Sequence, residues 1–204
     1  MNIVCFGDSI TQASDCSEGD RWPTVLQIAL DDWRVNQYKV YNRGVAGNTT
    51  ANGLARFAED ILPLLPGLLV VEFGINDCNH PSWRRVPAVG VEEYKKNLRE
   101  FHRVCKASKG ACVFVVNHPL SRAKILQGNG RTLRANLQPY NDAVRLLTAE
   151  LKAPVIDLPL MISERRIKLA DFVPEDGIHL TAQGNHFYAA MVFDCLQLIL
   201  KRIS

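Results

Sequence analysis

The feature that most restricts what this chain can fold into is an alternation. Short apolar runs suited to buried strands take turns with longer stretches whose apolar residues recur at helical spacing. The runs lie at residues 2–6, 38–41, 68–73, 111–116 and 155–158. Between them, Trp22, Leu26, Leu30 and Trp33 mark one helix and Thr50, Leu54, Phe57 and Ile61 a second. Val91, Tyr94, Leu98, Phe101 and Cys105 mark a third, and Tyr140, Val144, Leu147 and Leu151 a fourth, which Pro139 either starts or kinks. A small helix is expected around Leu160 to Leu169, and Thr181 suits the cap of a last one. Strands joined by helices must run parallel, with helices on both faces. The expectation is therefore an α/β fold, a three-layer α/β/α sandwich. Its five-stranded parallel sheet should take the flavodoxin-like order 2-1-3-4-5. No repeat or linker breaks the pattern, so residues 1–204 are expected to form a single domain.

Composition closes off several functions. Hydrophobic residues make up 47% of the chain, and 24 basic against 21 acidic residues leave a net charge of +3. That balance is too mild to point to nucleic acid, which is not expected as a partner. No apolar run reaches the ~18 residues of a membrane span. Met1 leads straight into the first strand with no basic, cleavable leader, so a cytoplasmic location is expected. The six cysteines form no C-x-x-C pair and no zinc spacing, and are expected to stay reduced. There is no P-loop, dinucleotide fingerprint or H-E-x-x-H, so no cofactor and no metal is called for. There is also no Gly-x-Ser-x-Gly elbow, which disfavours an ordinary α/β-hydrolase.

Polar clusters follow the strands: Gly7-Asp8-Ser9, Gly44 to Asn48, Gly74 to Asp77, and Asp176 to His179. A parallel sheet gathers such ends along one edge. The chemistry they can share is acyl transfer. Ser9 would attack a carbonyl and His179 would take its proton. Asp176, three residues earlier, would hold the imidazole. The Ser9 N–H, the Gly47 N–H and the Asn76 amide would meet the oxyanion. Taken singly, each has an ordinary reading as turn glycine, turn pair, helix cap or surface histidine. Their joint occurrence in this order is what favours catalysis.

The same residues resemble the four blocks of the SGNH, or GDSL, hydrolases, from Ile3 to the final helix. Ile10 stands where the family's usual leucine follows the serine. The resemblance implies Ser9 as nucleophile, Gly47 and Asn76 completing the oxyanion hole, and Asp176 and His179 completing the triad. The run Phe6 to Gln12 also resembles the isoamyl-acetate-esterase-like branch. Asp8, adjacent to the serine, is expected to fix its loop rather than serve as the triad acid. Asp77 is expected to brace the Asn76 turn and Asn42 the loop that presents Gly47. Plain turn chemistry is the alternative for all three.

Specificity should come from loops 10–21, 78–90 and 117–131. His80, Trp83 and His118 are candidates for the substrate pocket, with Leu120, Ile125 and Leu126 nearby. The expected partner is a small-molecule ester, cleaved by a serine esterase through an acyl-enzyme. A carbohydrate O-deacetylase, lysophospholipase or thioesterase would use the same site. The rival of another kind is a non-catalytic ligand-binding module on the same fold. The oligomeric state is open, because the apolar last helix suits a core and a dimer face equally.

Overall fold

A computed structural model describes residues 1–121 and 125–203. Strands β1 (Asn2–Gly7), β2 (Lys39–Gly44), β3 (Gly67–Glu72), β4 (Ala111–Val116) and β5 (Val155–Asp157) form one sheet. Its order is β2-β1-β3-β4-β5 and every neighbouring pair is parallel, as expected. Helices connect them: α1 (Ser9–Gln12), α2 (Trp22–Trp33), α3 (Thr50–Asp60), α4 (Val91–Ala107), α5 (Leu133–Leu151), α6 (Leu158–Glu164), α7 (Leu169–Phe172) and α8 (Ala182–Ile203). β3 is buried along its whole length, which is why it reads as a continuous apolar run. β2 lies at the sheet edge and is only partly buried, so its apolar signal is weak. It runs on to Gly44, beyond the Tyr41 limit expected from hydrophobicity.

Two aromatic groups hold the layers. Phe6 of β1 meets Phe57 of α3, Phe73 and Phe101 of α4 edge to face, at centroid distances of 5.7, 5.0 and 5.3 Å. Trp22 of α2 stacks on Tyr188 of α8 at 4.8 Å. Such pairs add about 0.5–1.5 kcal/mol each beyond area burial.

Pro139 neither starts nor ends a helix; it sits inside α5, which begins at Leu133 under a Thr132 cap. A proline there leaves the carbonyl four residues back without its helical donor. That carbonyl belongs to Ala135, and the Arg131 guanidinium donates to it at 3.1 Å. Thr181 caps α8, its hydroxyl accepting the Gly184 N–H at 2.7 Å. All six cysteines are free thiols. Among the described residues, no helix is long and apolar enough to cross a membrane.

Candidate active site

β1 is central, with β2 on one side and β3 on the other, so three strand-end loops meet above it. The first turns sharply into α1. The Asp8 carboxylate caps that helix, accepting the Ile10 N–H at 2.9 Å. Ser9 therefore opens a helix, where backbone N–H groups lack internal partners. The turn is anchored below: the Trp22 indole donates to the Ile10 carbonyl at 2.9 Å, and the Thr11 hydroxyl donates to Glu72 at 2.9 Å.

The β2 loop carries two glycines with different duties. Gly44 has no room for a side chain, since a Cβ would lie 2.1 Å from the Gln12 nitrogen. Gly47 has open space around it, but takes φ +76° at the third position of a turn closed by Asn48 N–H on Val45 O at 3.2 Å. A type II turn favours glycine there. Asn42 ties this loop to α1: its amide donates to Gln12 O at 3.2 Å, and its oxygen accepts the Gly44 N–H at 2.9 Å. Gln12 adds a further tie, accepting the Ala46 N–H at 3.2 Å.

The β3 loop presents Asn76. Its Nδ2 donates to Asp8 Oδ2 at 3.1 Å and to the Asn48 carbonyl at 3.0 Å, linking all three loops. Asp77 turns away from the cleft. Its Oδ1 accepts the Thr50 N–H at 2.9 Å and the Thr50 hydroxyl at 2.5 Å, tying the start of α3 to this loop. Burial pushes the Asp77 carboxyl up to about 6, against the lowering effect of Thr50. Burial likewise pushes Asp8 up to about 7, against the lowering effect of the Ile10 N–H, and pushes Glu72 well above the usual carboxylate range, with the Asp8 charge adding to the rise.

The fourth piece arrives from the other end of the chain, just before α8. Asp176 Oδ1 accepts the N–H groups of Ile178 and His179 at 2.8 and 3.1 Å. Its Oδ2 lies 2.5 Å from His179 Nδ1, and His179 Nε2 lies 3.1 Å from Ser9 Oγ. With the ring proton donated from Nδ1 to the carboxylate, Nε2 is the acceptor for the serine hydroxyl. Partial burial works against the Asp176 charge, but the bonds from Ile178 and His179 outweigh it and hold the carboxyl below its ordinary value. Asp15, from the loop after α1, places a second carboxylate 3.6 Å from His179 Nδ1.

A cleft of about 260 Å³ opens beside Ser9 and His179, walled by Ile75, Asn76, Asn79, Ile125, Gln127, Leu133 and Ile178. Ile125 is the one wall residue that the loop candidates included. The pocket candidates His80, Trp83 and His118 are not among its walls. His80 folds back, its Nδ1 bonded to the Cys78 carbonyl at 2.9 Å. Trp83 sits in a turn closed by Arg84 N–H on Pro81 O and is 85% exposed. His118 is fully buried; its Nε2 donates to the Ile178 carbonyl at 2.8 Å, and burial pushes the ring down to about 4. It holds the backbone of the wall residue Ile178 without lining the cleft itself. The wall amides were missed because their only signal is tertiary: Gln127 Nε2 donates to Asn79 Oδ1 at 2.5 Å across two loops.

A family model described as GDSL-like lipase/acylhydrolase matches residues 5–187. The isoamyl acetate-hydrolyzing esterase 1 homolog of Rattus norvegicus is 28% identical over 220 residues, covering 99% of this chain and 82% of the relative. The thioesterase 1/protease 1/lysophospholipase L1 of Escherichia coli K12 is 24% identical, covering 99% and 86%. In structure, a lipase/acylhydrolase from Enterococcus faecalis superposes with a TM-score of 0.78 at 22% identity, covering 95% of this chain and 93% of that one. An acetyl xylan esterase gives 0.76 at 20% identity, covering 95% and 98%. The four polar clusters all fall within the matched stretch, and the chain belongs to the GDSL-like lipase/acylhydrolase family.

Proposed function

We propose that this carboxylic ester hydrolase cleaves small or short-chain esters through an acyl-enzyme on Ser9. The observation that carries the reading is the hydrogen-bonded line from Ser9 Oγ through His179 to Asp176, standing at the mouth of the cleft. His179 Nε2 takes the serine proton as Oγ attacks the ester carbonyl, and Asp176 stabilises the imidazolium that forms. The tetrahedral oxyanion is met by the N–H groups of Ser9 and Gly47 and by Asn76 Nδ2. An Asn76 N–H leaves the neutral Asn48 carbonyl for the charged oxygen, the stronger acceptor. The imidazolium then protonates the departing alcohol. Water, deprotonated by the same ring, releases the acid.

Size and lining support a small acyl group. At about 260 Å³ the cleft lies at the low end of ligand sites, and Ile75, Ile125, Leu133 and Ile178 give it apolar walls. The test is a fluorophosphonate probe together with p-nitrophenyl esters from acetate to octanoate. The probe should label the wild type and not Ser9→Ala, and turnover should be fastest on the shorter esters. An unlabelled wild type that leaves every ester intact refutes the reading in favour of a binding module. A preference for thioesters, acetylated sugars or lysophospholipids would move the substrate while keeping the site.

A further inference from the structure

Beneath the Ser9 turn lie two carboxyl groups that the proposed reaction leaves unused. Glu72 ends β3 in register with Gly7, and Asp8 follows Gly7. Asp8 is 0% exposed and Glu72 1%. Their side chains are within hydrogen-bonding reach of each other. Asp8 is supplied with donors, Ile10 N–H on Oδ1 and Asn76 Nδ2 on Oδ2. Glu72 Oε2 accepts the Thr11 hydroxyl, but the buried Oε1 has no donor at all.

Among the described residues, no cation answers the pair. Arg56 reaches the Gly7 carbonyl, yet its guanidinium is taken by Asn48, Asp60 and the carbonyls of Gly7 and Arg43. The other titratable groups there that interact with the two carboxyls are Asp77, His179, Tyr94, Tyr188 and Cys78. Of these, only His179 can bring positive charge, and only when protonated. Two carboxyls buried side by side without a cation do not both stay ionised.

We propose that Asp8 and Glu72 hold one proton between them, carried by Glu72, and that Glu72 is a positioning residue acting through Asp8 on Asn76. The proton gives the pair the donor it lacks and leaves Asp8 as an acceptor-only carboxylate. That state decides how Asn76 sits. A side-chain amide fits its site with either its nitrogen or its oxygen forward. Facing a carboxylate and the Asn48 carbonyl, it can offer only Nδ2. A protonated Asp8 would offer an O–H instead, the amide oxygen would turn to meet it, and an acceptor would stand where the oxyanion needs a donor.

The functional half of this inference rests on the oxyanion role proposed for Asn76; the shared proton does not. Infrared spectroscopy reads the proton without turnover. Wild type at pH 8 should show the carbonyl stretch of a buried protonated acid, and Glu72→Gln should lose it. In p-nitrophenyl acetate hydrolysis, Glu72→Gln still donates to Asp8 and should keep kcat within about threefold. Glu72→Met donates nothing and should lose roughly 100-fold in kcat, the scale of one oxyanion donor, with KM changed by less than about threefold. A wild type without the band overturns the shared proton. A Glu72→Met enzyme with wild-type kcat overturns the positioning role. If Glu72→Met does not fold, the band in wild type against Glu72→Gln decides. Wild-type turnover by Asn76→Ala would refute the role of Asn76, and with it that of Glu72, while an intact band would still support the shared proton.

Discussion

Two histidines at the same edge of the sheet show how little the residue type decides. His118 follows β4 by two positions; His179 precedes α8. His179 keeps 32% of its side chain exposed and has a carboxylate on one nitrogen and a hydroxyl on the other. His118 is sealed off, packs 5.5 Å from the Phe172 ring, and leaves Nδ1 without a partner. One ring has a carboxylate beside it. The other is held neutral by burial. They are also mechanically linked. His118 donates to the carbonyl of Ile178, and Ser121 N–H donates to that of Gly177 at 3.1 Å, so the β4 loop grips the turn that carries His179.

This contrast can be broken at three places. The largest effect belongs to His179→Gln, which should lower kcat by about 10⁴-fold or more with little change in KM, since triad members act as a unit. Steady-state ester hydrolysis reads it, and residual activity near wild type would mean that another base, His118 included, does the work. The next is His118→Phe, which removes the donor to Ile178 and should cost about tenfold in kcat by loosening the His179 turn. It should also change the acid response. The His118 ring titrates at about 4 when folded against 6.5 when unfolded, so the unfolded chain binds the extra proton between those values. Stability from this group is full above pH 6.5 and drains away as pH falls toward 4, by up to about 3 kcal/mol. Urea unfolding across that window should show the loss in wild type and not in His118→Phe; parallel curves would refute it. The smallest effect is Trp83→Ala. With 85% of the residue in solvent, kcat/KM for short esters should stay within about twofold. A larger fall would return Trp83 to the substrate path.

The sheet order was readable because four of its strands are plain apolar runs and three of the four clusters sit directly on strand ends, the fourth standing just before α8. Ser9, Gly47, Asn76, Asp176 and His179 lie in short turns whose neighbours in sequence are also neighbours in space. What escaped detection depends on long-range contact. Glu72 looks like a blemish in an apolar run until Asp8 is seen beside it. Asn79 and Gln127 are ordinary loop amides until they meet. His118 shares its sheet edge with Ser9, but not its direction, and spacing along a chain does not report direction. The start of α5 was hidden by Pro139, whose cost is offset by Arg131, a residue outside the helix.

The distance in sequence between two hydrogen-bonded side chains has a consequence for how the site is assembled. His179 lies 170 positions after Ser9. The turn that carries His179 is followed by α8, whose Tyr188, Met191, Val192, Leu196 and Leu200 are buried, with Tyr188 stacked on Trp22. Asn185 accepts the Trp22 N–H, so the same helix also secures the start of α2. A chain that reaches only to β5 therefore holds all five strands and the three loops around Ser9, but not the partner of the Ser9 hydroxyl. That pairing waits for the turn before α8, and so for α8 to close against α2.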